Sequence, residues 1–539
     1  MRKVEQMTLE QKIGQLVMCG FEGTEPSEEV LRLIREKAIG GVIYFARNVR
    51  NVEQVVSLSA ALQEAAAASG QEPLFIGIDQ EGGMVARITD GVALMPGAMA
   101  IAAAGSLEEA YQAALICGQE LKALGINLNY APVLDVNNNA ANPVIGVRSF
   151  GEDPAKVAEY GVKTLQGLQS AGVIATAKHF PGHGDTNVDS HLDLPTVPHA
   201  RERIEQVELR PFREAIAAGV DSIMSSHVVF PAFESQKLPV TLSKAVLTGL
   251  LREELGYEGV IMTDCMEMNA IAEHFGTVEA AVMAVEAGAD LVLISHSHDR
   301  QQGAINALLQ AVRSGRLSEE RINRSVNRLL ALKEKRGLYE PAAAVEVKAV
   351  VGTAEHKAVA RRISESSITL VKDEAGLLPF RTEDSLFLIS IEGAVLTQVD
   401  EAVDAQLTLG SALRELGAQV TELVVPLTKV EELKKELLSA VRYERQVIIA
   451  TYNAYLDPAQ AELIRELLAL GKEITVVAQR SPYDLLAFPA VSTYVVAYEN
   501  RPLALRSTAK VLMGDSKARG KLPITLSEGE TVLAGGGSR

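Results

Sequence analysis

The chain has 539 residues, 47% hydrophobic and 22% charged, with a formal net charge of -17. That is longer than one ordinary domain of roughly 150 residues and ample for large cores. The acidic balance argues against nucleic acid or an anionic membrane surface as partner, and no run of about 20 apolar residues is present to span a bilayer.

Residues 1–335 alternate short apolar runs with longer segments of helical period. The runs are QLVMCG (15–20), GVIYFA (41–46), PLFIGID (73–79), GINLNYAPVLD (125–135), GVIATAKHF (172–180), GVDSIMSSH (219–227), GVIMTD (259–264) and ADLVLIS (289–295). Near-continuous Val/Ile/Leu runs separated by helices are the pattern of parallel strands covered on both faces. Eight such units predict an α/β chain whose N-terminal part is a (β/α)8 TIM-like barrel, with an open doubly wound sheet as the alternative. Residues 336–352, rich in Gly, Pro and Ala, interrupt the pattern and predict a linker. Beyond it, runs at 385–391, 420–426, 446–452, 473–479 and 493–499 predict a smaller αβα layer domain over 353–539, built on an open parallel sheet. That part has neither a GxGxxG turn nor a phosphate loop, and no cofactor is expected. Cys19, Cys117 and Cys265 are too few and too scattered for a disulfide framework or a zinc knuckle. The first 20 residues lack the apolar core of a secretory signal, so the expected location is the cytoplasm.

A barrel places its active site at the C-terminal ends of its strands. Those ends here carry Asp79, Asp135, Lys178, His179, His227, Asp264 and His296. Capping of the next helix accounts for an Asp at such a position, but not for Lys178 and His179. The densest chemistry is KHFPGHGDTNVDSH, residues 178–191, which holds three of the nine histidines. Pro181, Gly182 and Gly184 exclude a helix, so this is a loop. One reading makes His179, His183, Asp185, Asp189 and His191 zinc ligands. Their spacing matches no specific ligand pattern, and Lys178 beside a metal is electrostatically costly. The other reading is acid/base chemistry. Asp189 and His191, two apart in a turn, can meet, and the carboxylate would then fix the imidazole tautomer and raise its pKa.

Three further stretches bear on the site. Asp264, at the end of the seventh run, is either a helix cap or a carboxylate projecting into the barrel mouth. In GIDQEGGMVARI (77–88), Gly82 and Gly83 allow a tight turn between Asp79 and Arg87. Those two either bind a polar ligand or pair with each other. Arg148, in NPVIGVRSFGEDP, is either locally paired or a ligand clamp.

Taken in order, GIDQEGGMVARI, APVLDVN, IGVRSFGEDP, KHFPGHGDTNVDSH and GVIMTDCMEMNAI closely resemble the motifs of family 3 glycoside hydrolases that act as β-N-acetylglucosaminidases. The resemblance covers most of residues 5–335. The C-terminal part resembles, more weakly, the αβα domain that follows the barrel in two-domain members typical of Gram-positive bacteria. The resemblance implies a retaining double displacement, with Asp264 as nucleophile and His191, paired with Asp189, as acid/base. Asp79, Arg87, Arg148, Lys178 and His179 are implied to bind the sugar. The implied activity is exo-acting removal of N-acetylglucosamine from cell-wall muropeptides, by a glycoside hydrolase without a metal. Family β-glucosidases lack the Asp-x-His loop. Cys265 and Met266 depart from the small residues that many relatives carry after the nucleophile, which predicts an altered pocket wall. A histidine that is neutral after giving up its proton repels an anionic nucleophile less than a carboxylate would. A phosphorylase on the same scaffold is therefore the alternative, and a metal-dependent hydrolase a further one. The absence of tryptophan and an aromatic content of only 4% suit a small carbohydrate held by polar clamps.

Overall fold

The structure is a computed structural model in which residues 3–340, 346–393, 407–528 and 531–532 are described. Eight parallel strands close into a barrel. They are β1 (Val17–Cys19), β2 (Gly41–Tyr44), β3 (Phe75–Ile78), β4 (Leu128–Asn129), β5 (Ile174–Phe180), β6 (Ser222–Ser225), β7 (Val260–Cys265) and β8 (Leu291–Ile294). Neighbours follow chain order, and β8 returns to β1 through Val17 opposite Val292. Every residue of β1, β2, β3, β5, β6 and β8 is buried. That two-sided burial is why the strands read as apolar runs rather than alternating ones. Helix starts follow local chemistry. Ser106 caps Leu107–Ala123 by accepting from Glu109 N, and Asp153 caps Pro154–Ser170 with a proline in the first turn.

The second sheet has six strands. They are β9 (Thr369–Asp373), β10 (Ser385–Glu392), β11 (Gln419–Pro426), β12 (Gln446–Thr451), β13 (Glu473–Ala478) and β14 (Thr493–Val496), in the order β9-β14-β13-β12-β10-β11. β10 to β14 pair in parallel, as expected of an open parallel sheet. β9 is an antiparallel edge strand that the apolar pattern did not reveal. Only its first residue is buried, so it presents no apolar run. Alternate residues divide into two cores. Ile389, Ile449, Val476 and Tyr494 face Ile464 and Leu467, while Leu388, Ile448, Val477 and Val495 face Leu413 and Leu505.

The two sheets belong to one packed body. Met84, Met99, Ala103 and Val147 from the barrel side share a core with the second sheet. Of the expected linker 336–352, residues 341–345 lie outside the described residues. At its last residue Gly352 N, and just beyond it His356 Nδ1, meet Glu120 Oε1 at 2.9 and 2.8 Å, docking helix Ala354–Ser367 on the barrel side.

At the opposite end of the barrel, Asp290 precedes β8 with no exposed surface. Its carboxylate accepts from Ile261 N (3.1 Å), Ser325 Oγ (2.5 Å) and Arg328 (3.3 Å), and from Arg252. It thereby joins β7, β8 and helix Glu319–Lys335. Removing one partner of a buried ion network leaves charges uncompensated. Asp290→Ala should therefore lower unfolding stability by about 3–5 kcal/mol, read from a denaturant midpoint. The folded fraction should keep the wild-type arrangement at the strand C-termini, because Asp290 lies at the other end of the barrel.

Candidate active site

A cleft of about 1380 Å³, counted to its open mouth, lies at the C-terminal ends of the barrel strands. Seven of the eight residues to which the resemblance gives a role line it: Asp79, Arg87, Arg148, Lys178, His179, His191 and Asp264. The eighth, Asp189, stands behind His191.

One wall begins where β3 ends. Gln80–Gly82 and Val85–Ala86 form a small antiparallel hairpin, turned by Gly82 and Gly83 at φ of +96° and +54°. Those left-handed values favour glycine, and a Cβ on Gly83 would also stand 2.7 Å from Gly97 Cα. The Gln80 side chain closes the hairpin. Its Oε1 accepts from Arg87 N and Ile88 N (3.0 and 3.1 Å), and its Nε2 donates to Ile88 O (2.7 Å). Asp79 then meets Lys178 Nζ at 2.7 Å and Arg87 Nη2 at 3.4 Å. The pairing of Asp79 with Arg87 is made, and both side chains also line the cleft.

Glu81, which the sequence reading passed over, is as central as Asp79. Arg148 donates to it through two nitrogens, Nε at 3.0 Å and Nη2 at 2.8 Å, and Lys178 Nζ lies 2.6 Å away. A signal was available, since residues 79 and 81 share one face of an extended chain. Burial pushes both carboxyls up. Lys178 and Arg87 outweigh it at Asp79, and Arg148 and Lys178 at Glu81, so both stay below the usual range. Burial opposes the charge on Arg148, and Glu81 more than offsets it.

The second wall is the loop after β5. The register with β6 shifts between Ala177 and Phe180, the Lys178–His179 peptide is cis, and both side chains line the cleft. Asp135 is completely buried. Its Oδ2 lies 2.7 Å from His179 Nδ1, and its Oδ1 accepts from His179 N (3.2 Å) and His183 N (2.6 Å). Burial would raise this carboxyl, but His179 holds it below its ordinary value. Asp135 was visible as a strand-end acid, but its grip on two histidines was not.

The loop histidines have separate partners. His183 meets Thr186 Oγ1 and Ser190 Oγ, each at 2.9 Å. Burial pushes its pKa down to about 4, so the ring is neutral at pH 7. Asp185 pairs with His199 at 2.6 Å. His191 Nδ1 lies 2.7 Å from Asp189 Oδ1, which also accepts from His191 N at 2.9 Å. The two-residue spacing thus closes the turn expected of it. Burial raises the Asp189 carboxyl, and His191 draws it back below the usual range. Because Nδ1 must donate to this carboxylate, Nε2 is the atom that can exchange a proton with a ligand.

These commitments do not suit the zinc reading of the loop. Among the described residues, the metal-like group of three is instead Cys265, Glu267 and His296, at the cleft rim. Burial pushes the Cys265 thiol up to about 11, so it is not a thiolate at neutral pH. Both Glu267 oxygens already accept backbone N–H bonds, from His296 (2.6 Å) and Ser297 (3.0 Å).

Asp264 stands near the end of β7, half-buried, with Oδ1 accepting from Cys265 N at 2.7 Å. Burial opposes its charge, but His179, His227 and His191 together hold the carboxyl below its ordinary value, so it is ionised at neutral pH. His227 is fully buried and donates through Nε2 to Cys265 O (2.9 Å), bracing the end of β7. Cys265 lines the cleft, as expected of the departure after Asp264, but Met266 does not. It is buried in the barrel core, and Glu267 and Met268 supply the wall instead.

Comparison with known proteins places this arrangement. Residues 8–332 match the N-terminal domain of glycosyl hydrolase family 3. The chain is 33% identical to beta-hexosaminidase A of Pseudoalteromonas piscicida over 97% of both proteins. It is 36% identical to a beta-hexosaminidase of Xylella fastidiosa, of which 56% of this chain covers 88%. A solved family 3 beta-N-acetylglucosaminidase from Paenibacillus sp. superposes with a TM-score of 0.93 at 51% identity, covering 97% of this chain and 99% of that one. With a family match across the barrel and a relative aligned end to end, the chain belongs to glycosyl hydrolase family 3 and is a glycoside hydrolase.

Proposed function

We propose that the chain is an exo-acting, retaining β-N-acetylglucosaminidase in which Asp264 is the nucleophile and His191, oriented by Asp189, the acid/base. The observation that carries this reading is the shared cleft. An ionised carboxylate on β7 and an imidazole tied by Nδ1 to a buried carboxylate face the same space, beside a cluster of buried charges. A retaining mechanism needs an attacking group and a proton donor on one glycosidic bond. The Paenibacillus neighbour and the Pseudoalteromonas relative support the N-acetylhexosamine specificity.

In the first step, Asp264 attacks the anomeric carbon as the bond to the leaving oxygen breaks. His191 Nε2 delivers its proton to that oxygen, and a glycosyl ester of Asp264 forms. In the second, neutral His191 takes a proton from water, whose oxygen attacks the anomeric carbon and releases Asp264. Two inversions retain the configuration. Asp79, Arg87, Arg148, Lys178 and His179 hold the sugar. With three cations and two carboxylates counting Glu81, the clamp offers more donors than acceptors, which suits hydroxyl and acetamido oxygens. A compact cluster of this kind suits one terminal sugar better than a run of polymer. Muropeptide fragments bearing N-acetylglucosamine are the substrates that the resemblance of residues 178–191 implies.

A chromogenic β-N-acetylglucosaminide should be cleaved far faster than the matching β-glucoside. Equal rates would remove the specificity from the proposal. Running the assay with and without phosphate, and looking for a sugar 1-phosphate, separates hydrolysis from phosphorolysis.

Asp264→Asn should lower kcat by at least about 10³-fold while sugar binding persists, since the covalent step is lost. A variant retaining a tenth of the wild-type rate would refute the nucleophile assignment.

For His191→Ala, the loss should grow with the basicity of the leaving group, because an aryl oxide of low pKa departs without an acid. With activated aryl substrates the second step becomes limiting. Azide should then accelerate turnover and yield a β-glycosyl azide. Asp189→Ala should follow the same pattern more mildly. His183→Ala should lower the rate without azide rescue, since both ring nitrogens of His183 serve the loop. Azide rescue of His183→Ala rather than His191→Ala would transfer the acid/base role.

A further inference from the structure

We propose that Arg501, in the second domain, is a positioning residue for the sugar clamp. This rests on the reading of Arg148 and Lys178 as sugar ligands. Arg501 is buried, with 4% of its surface exposed. Its Nε donates to Gly83 O at 2.8 Å and its Nη2 to Met84 O at 3.2 Å. Both carbonyls belong to the turn of the hairpin that carries Glu81. From the same segment, Glu499 accepts from Gly97 N at 3.1 Å. A Cβ on Gly83 would lie 2.4 Å from Glu499 Oε2, so the turn is pressed between Gly97 and the second domain.

The other half of the clamp is held from the same side. Tyr483 OH donates to Asn137 O at 3.2 Å, and Asn137 Oδ1 accepts from Gly146 N at 3.0 Å, two residues before Arg148. Glu81 and Arg148 form the doubly hydrogen-bonded pair that also orients Lys178. Each therefore sits on a segment held by the second domain. Two-point Arg–carboxylate geometry is sensitive to small displacements of either partner. A small cavity bordered by Glu81, Met84, Arg148 and Glu499 lies behind the turn.

The test is steady-state kinetics on the full-length enzyme, well below each variant's unfolding temperature. Arg501→Ala should raise KM for the β-N-acetylglucosaminide by about tenfold or more with kcat within about threefold, as expected when binding common to ground and transition states is lost. Arg501→Lys should lie between, since one ammonium cannot reproduce the fork to two carbonyls. Tyr483→Phe should raise KM by a smaller factor. Arg506→Ala, on the exposed face of helix Pro502–Leu512 where it pairs with Glu415, should leave both constants unchanged. Arg148→Ala is the control for the clamp itself. If Arg148→Ala raises KM while Arg501→Ala leaves it within twofold of wild type, the positioning role is overturned. A loss confined to kcat, in proportion to the folded fraction, overturns it equally. If Arg501→Ala does not fold, unchanged KM in both Arg501→Lys and Tyr483→Phe overturns it. If Arg148→Ala also leaves KM unchanged, the sugar-clamp reading fails, and this inference with it.

Discussion

A charge taken out of water must be compensated where it lies, and one wall of this barrel's mouth holds five of them together. Asp79, Glu81, Arg87, Arg148 and Lys178 have side chains no more than 13% exposed. Burying any one alone would cost several kcal/mol. Together they are tolerated only if the hairpin after β3, the loop before Arg148 and the end of β5 keep their relative places. The ion network thus turns three loops into one rigid wall. It also holds two carboxylates ionised in surroundings that would otherwise favour their neutral forms.

The opposite wall solves a different problem, that of making three histidines behave differently within thirteen residues. Hydrogen bonding does this. Asp135 takes His179 by Nδ1 and two backbone amides of the same loop. Thr186 and Ser190 occupy both nitrogens of His183. Asp189 takes only Nδ1 of His191, directing Nε2 toward the cleft. One residue type thus gives three differently held rings, two with one nitrogen engaged and one with both, through partner choice alone.

Much of this was legible before the fold was known. The barrel announced itself because parallel strands covered on both faces must be apolar throughout, and eight such runs appear in order. The Asp189–His191 pair was legible because two residues in a turn have little freedom to miss one another. β9 was not legible, since a half-exposed edge strand carries no periodic signal. Glu81 was overlooked beside Asp79 because its partners, Arg148 and Lys178, lie 67 and 97 positions further along the chain.

By itself, then, the order of residues determined the parallel strands, the turn-rich loops at their C-terminal ends and the chemical types that those loops carry. These follow from burial, backbone freedom and titration, which act over a few residues. The tertiary structure alone decided which carboxylate holds which cation, which histidine keeps an open nitrogen, and how the second domain reaches the Gly83 turn. Those are contacts between segments tens to hundreds of residues apart. Electrostatics and packing between such segments depend on distances in space, which local pattern does not encode.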